Sequence, residues 1–171
     1  AVVTTLGRFN RVVEAGLNFK LPFGIEQNYN VPTQVTQKAD FGFRTDPNDP
    51  SGSVQDYPAE SIMLTGDLNI IDVQWIIQYR IENIEYWQFK VLSRNKTIRD
   101  ISQSVVNELV GDRSLFEVLG NARTTIENQA VEEMNKLFDR YELGIVVTQV
   151  KLQNVVPPTG KVRDAFEDVN K

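Results

Sequence analysis

Residues 63–82 read MLTGDLNIIDVQWIIQYRIE. Ile71, Val73, Trp75, Ile77, Tyr79 and Ile81 alternate with Asp72, Gln74, Ile76, Gln78, Arg80 and Glu82. Successive side chains of a strand point to opposite faces, so this period of two predicts a long strand with one face buried. Ile62 and Leu64 lead into Gly66-Asp67, a turn pair, so a hairpin feeds that strand.

C-terminal to it the periodicity becomes helical. A short helix is expected over 84–91. Over 96–110, Ile98, Ile101, Val105, Val106, Leu109 and Val110 form one apolar stripe, with Gly111 suited to the residue just past the helix end. Ser114-Leu115-Phe116-Glu117 reads as a capping box, in which hydroxyl and carboxylate each satisfy an orphan N–H. It opens one long helix carrying Leu115, Leu119, Ala122, Ile126, Met134, Leu137, Phe138 and Tyr141, which Gly144 ends. A strand from Ile145 to Val155 is expected to place Val146, Val150 and Leu152 on one face, and Pro157-Pro158 stops it. Pro158 and Thr159 start a last helix, where Val162, Ala165, Phe166 and Val169 keep helical spacing with no cap after them. That helix is expected to run on past Lys171.

N-terminal to the hairpin the chain reads as β. Val2–Leu6 is apolar and β-branched and stops at Gly7, Val12-Val13 stops at Gly16, and residues 28–44 alternate loosely. The start at Ala1, inside a strand, leads us to expect preceding sequence such as a membrane anchor. Residues 45–58, TDPNDPSGSVQDYP, read as a mobile loop. The expected organisation is one domain over 1–157, made of a β subdomain at about 1–44, the loop 45–58 and an α/β subdomain at about 59–157. The C-terminal helix begins in 158–171. The fold class is α+β: a mostly antiparallel sheet with helices packed on one face, ending in a helix that leads into a coiled coil.

Composition narrows function mainly by exclusion. The chain has no cysteine and no histidine, which removes thiol nucleophiles, thiolate metal sites and every His-based dyad or triad. The net charge of −5 leaves no basic footprint for nucleic acid and argues against docking on anionic lipid by charge alone. No apolar run approaches the ~20 residues that span a bilayer. No phosphate-cradling glycine loop occurs. Asp49, Ser51, Ser53 and Glu60 have calcium-loop spacing, but Val54 stands where the sharp turn needs glycine. Glu132 is four residues before Lys136, a surface pair. Asn95-Lys96-Thr97 is formally a glycosylation sequon, and the simpler reading has Asn95 or Thr97 capping the next helix. A Ser–Lys dyad is compatible with the composition, but no serine sits on a nucleophile turn. We expect no enzyme, no metal and no cofactor; a ligand-binding module remains a third class.

Leu17, Phe19, Leu21, Pro22, Phe23 and Ile25 form an apolar stretch broken by Lys20. Two readings stand side by side: an inward-facing strand and turn, or a loop pressed into a membrane interface, where aromatic rings sit well.

Residues 2–9 (VVTTLGRF), 15–23 (AGLNFKLPF), 63–82, 144–158 (GIVVTQVKLQNVVPP) and 161–170 (KVRDAFEDVN) resemble, in order, the motifs of the band-7 or SPFH family of stomatins, prohibitins, flotillins and HflK/HflC. Ala15 replaces a commoner proline. The MLTGD…QYRI form and the 45–58 insertion are most similar to the HflK branch; a prohibitin- or stomatin-like organiser is the alternative. The resemblance implies the SPFH fold and a non-catalytic scaffold. Such a scaffold is a single-pass protein of the bacterial inner membrane with this domain on the periplasmic side. It assembles with an HflC-like subunit and encloses an FtsH-type AAA protease. By position it implies that Leu17, Phe19, Leu21, Pro22 and Phe23 are membrane-proximal, and that Val162, Ala165, Phe166 and Val169 begin the oligomerising helix. As this 171-residue piece, the chain is expected to be monomeric or weakly associating.

Overall fold

A computed structural model describes residues 1–13, 16, 18–19, 21–45, 54–120 and 122–156. Three antiparallel strands, β1 (Val2–Thr5), β2 (Arg8–Val12) and β3 (Glu26–Tyr29), form a first sheet in the order β2-β1-β3. Then follow β4 (Gln37–Phe41), β5 (Phe43–Thr45), β6 (Val54–Asp56), the single turn α1 (Pro58–Ser61), β7 (Ile62–Leu64) and the long β8 (Ile70–Ile81). Helices α2 (Ile84–Phe89), α3 (Arg94–Gly111), α4 (Leu115–Leu119) and α5 (Arg123–Arg140) precede the last strand, β9 (Ile145–Val156). The fold is α+β, its sheets antiparallel.

β8 organises the second sheet. β4 pairs with residues 75–79 and β7 with residues 70–72, so the two short strands share one edge end to end. β9 runs along the other edge, from Ile145 opposite Ile81 to Val156 opposite Asp72. As the alternation predicts, Ile71, Val73, Trp75, Ile77, Tyr79 and Ile81 are all buried and enter one core with the apolar faces of α3 and α5. Phe41 stacks on Trp75 with ring centroids 4.8 Å apart. Opposite, Gln74 donates to Asp56 of β6 at 3.1 Å, which brings the β5–β6 hairpin onto the polar face.

β9 departs from the expected phase. Val147 is buried and Val146 is not. The register jumps between Gln78 and Tyr79 and again between Gln74 and Trp75, which leaves Thr148 and Gln153 as extra residues. Each β-bulge shifts the alternation by one, so the inner set is Ile145, Val147, Val150 and Leu152. The free edge of β9 is answered by α5. Asn135 donates to the Val147 carbonyl at 3.0 Å and accepts from its N–H at 2.8 Å. Glu127 accepts from the Leu152 N–H at 3.0 Å and from Lys151 at 2.8 Å, while Arg123 donates to the Leu152 carbonyl. An edge capped by side chains no longer templates another strand.

Helix boundaries move from those expected. The capping box at Ser114 and Glu117 forms, but its helix ends at Gly120, and a separate helix starts at Arg123. Gly111 is the last residue of α3, followed by Asp112 as cap, and Ser93 rather than Asn95 or Thr97 stands at the N-cap. Where a loop was expected over 45–58, Val54–Asp56 pairs with Phe43–Thr45 and Pro58 opens α1; residues 46–53 lie outside the described residues.

Gly144 joins the two ends of the helical layer. Its carbonyl accepts from the Glu82 and Asn83 N–H groups at 2.9 and 3.1 Å. Its φ is +71°, and an added Cβ would overlap the Asn83 carbonyl oxygen and meet the Trp87 nitrogen at 2.8 Å. Gly144→Ala should therefore cost about 3 kcal/mol, a fall in Tm of roughly 10 °C. Gly7→Ala, at φ +81° with open space around it, should cost only about 1–2 kcal/mol. Paired thermal melts of the two variants check this.

Candidate functional site

The first sheet ends in two neighbouring tips. Thr5 pairs with Arg8, so Leu6-Gly7 is a two-residue hairpin turn, with φ values of 50° and 81°. Two successive positive φ values suit the twist of a tight hairpin, and glycine or asparagine normally fills them. Phe23-Gly24, in the connection between β2 and β3, has the same pair of successive positive φ values, 63° and 75°. The Leu6 N–H donates to the Ile25 carbonyl at 2.9 Å, which sets the tips side by side.

Both tips carry large apolar side chains into solvent: Leu6 is 81% exposed and Phe23 95%. Phe19 is 86% exposed, and Leu21 and Pro22 are exposed as well. The inward-facing reading of this stretch therefore fails for Phe19, Leu21, Pro22 and Phe23. These residues lie in the connection between β2 and β3, and none of them belongs to the hydrophobic core. Leu17, Lys20, Val162, Ala165, Phe166 and Val169 lie outside the described residues.

An ion pair between buried Glu26 and half-exposed Arg11 holds the tip loop in shape. Glu26 is almost fully buried and accepts from the Leu21 N–H at 2.9 Å, from Arg11 at 2.9 and 3.3 Å and from Asn10 at 3.3 Å. Arg11 also donates to the Phe19 carbonyl at 3.1 Å. The Leu21 N–H, then the Arg11 guanidinium, hold the Glu26 carboxyl below the usual carboxylate range. One acid thus ties together the backbone at Phe19 and Leu21, on either side of which the exposed rings project.

A second clamp lies on the second sheet. Glu60 takes Arg44 at 2.6 Å and Arg99 at 3.2 Å, and accepts from the Gly42 N–H at 3.1 Å. Burial opposes its charge, but Arg44, the Gly42 N–H and Arg99 outweigh it and hold the carboxyl low. Glu60, read above at the last position of a calcium loop, is engaged by these two arginines instead. Among the described residues no group of three or more acids is placed to hold a metal. Lys38, Lys90, Lys136 and Lys151 each form a salt bridge with a carboxylate. An open groove of about 940 Å³ has walls that include Val3, Val12, Asn28, Val31 and Val35, and among the described residues no acidic or basic side chain lines it.

Sequence reading found the Phe19–Phe23 side of the tip and missed Leu6 and the Arg11–Glu26 tie. The available signal was the repeated dipeptide Leu6-Gly7 and Phe23-Gly24, a bulky apolar residue before a turn glycine.

The whole chain, residues 1–171, matches the SPFH domain / Band 7 family, and it belongs to that family. Among curated proteins it is similar to protein HflK of Treponema pallidum, 49% identical over 99% of this chain and 52% of the relative. It is 41% identical to protein HflK of Borreliella burgdorferi, over 99% of this chain and 54% of the relative. To the Escherichia coli protein named modulator of FtsH protease HflK it is 29% identical, over 98% of this chain and 35% of the relative. The chain thus spans about half the length, or less, of these relatives. No helix among the described residues is long and apolar enough to cross a membrane.

Because its folded-state proton affinity is lowered, Glu26 contributes stability at neutral pH that is lost as pH falls through its depressed value. The Leu21 amide resonance should titrate with that carboxyl at a pH below the usual carboxylate range. Glu26→Gln should abolish the titration and loosen Leu21, read as faster amide exchange at neutral pH.

Proposed function

We propose that this chain is the membrane-side module of an HflK-type scaffold, with no catalytic role of its own. It works by shape: it places apolar tips in a bilayer surface and carries a helix that gathers copies into a larger assembly. The observation that carries the membrane half is the pair of neighbouring tips, Leu6-Gly7 and Phe23-Gly24, held rigid by Glu26 and Arg11 with their apolar side chains outward. A folded domain gains nothing internally from such side chains, whereas a lipid interface rewards them. Leu17, beside this loop in the sequence, belongs to the same proposed surface.

The protease half rests on the Escherichia coli relative, whose name makes it a modulator of FtsH protease. On that likeness the full-length protein is a single-pass protein of the bacterial inner membrane with this domain on the periplasmic side. It assembles with an HflC-like subunit and restrains an FtsH-type protease by enclosing it. Repeated domains in a ring make heterologous contacts that close, and many modest interfaces then act together. The helix from Thr159, with Val162, Ala165, Phe166 and Val169 on one face, leads into the coiled coil that joins the copies.

Flotation with phosphatidylcholine vesicles tests the membrane reading. Phe23→Asp and Leu6→Asp should each lower the vesicle partition constant about thirtyfold, since burial of one such side chain is worth roughly 2 kcal/mol, while Tm changes little. An equal loss of binding and stability would make the tips part of the packing instead. In sedimentation the chain should run as a monomer or weak oligomer at micromolar concentration; a tight discrete oligomer would count against assembly through the longer helix.

A further inference from the structure

The first sheet meets the helical layer beside its tips. The ring of Phe9 on β2 stands edge-on to that of Phe89, the last residue of α2, with centroids 6.0 Å apart. Leu6 precedes Phe9 by three residues, and Leu92 follows Phe89 by three. Three residues of chain reach at most about 11 Å, so the Leu6 turn and the α2–α3 connection both lie close to this contact. Leu92 is 104% exposed, the most exposed large apolar side chain among the described residues.

Charge at this place runs against that of the whole chain. The net charge is −5, yet residues 86–99, YWQFKVLSRNKTIR, hold four cations and no acid. Two of the four are answered: Lys90 by Glu142 at 2.6 Å and Arg99 by Glu60 at 3.2 Å. Arg94 has no carboxylate partner among the described residues; it donates to the Trp87 carbonyl at 2.6 Å and lies over the Trp87 ring. Lys96 is exposed, and so is Arg8, which follows the Leu6-Gly7 turn opposite Thr5. Among the described residues neither has a salt bridge or a side-chain hydrogen bond. On the first sheet Glu26 is engaged by Arg11, which leaves the charge of Arg8 uncompensated. Three unanswered cations thus flank the Phe9–Phe89 contact, alongside exposed leucines.

We infer that this surface selects anionic phospholipid: Arg8, Arg94 and Lys96 meet the headgroup phosphates, and Leu92 is a third apolar contact beside Leu6 and Phe23. The inference rests on the membrane reading of the tips and adds to it a lipid class and a second segment of chain. The two kinds of side chain suit two depths. Leucine and phenylalanine enter the boundary between headgroups and acyl chains, while a guanidinium or ammonium on a long stem stays at the level of the phosphates. The acidic remainder of the chain does not cancel the attraction, because charges farther from the surface than about 8 Å are largely screened at physiological ionic strength. Docking by net charge alone is excluded, and docking by local charge is not. A second copy of the chain, acidic overall, is the competing occupant.

Flotation with vesicles of phosphatidylcholine alone, and of phosphatidylcholine mixed with phosphatidylglycerol, separates the two claims. The partition constant of the chain should be at least about tenfold higher on the mixed vesicles, since each basic side chain at an anionic surface is worth roughly fivefold. High salt should remove that difference. Arg8→Gln combined with Lys96→Gln should abolish most of the preference and leave binding to phosphatidylcholine and the Tm unchanged. Leu92→Ser should lower partition on both vesicles at least about tenfold, again at unchanged Tm. Equal partition of the parent chain on the two vesicles would overturn the proposal while the membrane reading stands; binding to neither would sink both. A preference that survives the double substitution, or a Leu92→Ser variant that binds like the parent, would also overturn it. Self-association in sedimentation that Arg8→Gln with Lys96→Gln abolishes would overturn it in favour of a second copy.

Discussion

The structure depends on β8 having both edges filled and one face buried. A strand of twelve residues presents a long row of N–H and C=O groups, and leaving them unpaired inside a core would be prohibitive. β9 satisfies one edge along nearly its whole length, while β4 and β7 divide the other. That division has a topological result. The chain between β4 and β7 must leave the edge and return, and the β5–β6 hairpin with α1 is that excursion. Arg44 and Arg99 converge on Glu60 to fasten it to α3.

The same economy explains where apolar surface remains. Core positions are filled densely around Trp75, Ile126, Met134 and Phe138, all fully buried. Leucine and phenylalanine left over sit on turn tips at positive φ: Leu6, Phe23 and Leu68. Such conformations are unfavourable for these residues, and water is a poor environment for them. Each tip is nonetheless braced by nearby polar contacts, from Glu26 and Arg11 at one end of the molecule and from Asp67 and Thr65 at the other. Stiff backbone beneath an exposed apolar side chain lowers the entropy lost on association.

Much of the fold was legible because its strongest signals are local. The alternation of β8, the stripes of α3 and α5 and the Ser114–Glu117 box depend on residues close in sequence, and each appears in the structure. What escaped depends on distant partners. The bulges at Thr148 and Gln153 arise from pairing with β8, so counting by twos from Val150 put Val146 inside in place of Val147. The break at Gly120 interrupts a helical pattern that looks continuous, since the apolar period resumes in phase on α5. The Arg11–Glu26 tie links residues fifteen apart through a loop whose shape the pattern does not encode. The apolar run at the tip was visible, but a run of Phe and Leu reads alike whether it points inward or outward.

The strand layout also determines how the domain carries load. The chain enters β4 at Gln37, opposite Tyr79, and leaves β9 at Val156, opposite Asp72, on the other side of β8. Tension applied between those two points pulls the flanking strands lengthwise in opposite senses past the central one. The interstrand hydrogen bonds then resist together in shear and do not peel apart singly from one end. The sheet is in this way braced along the axis that joins those two points.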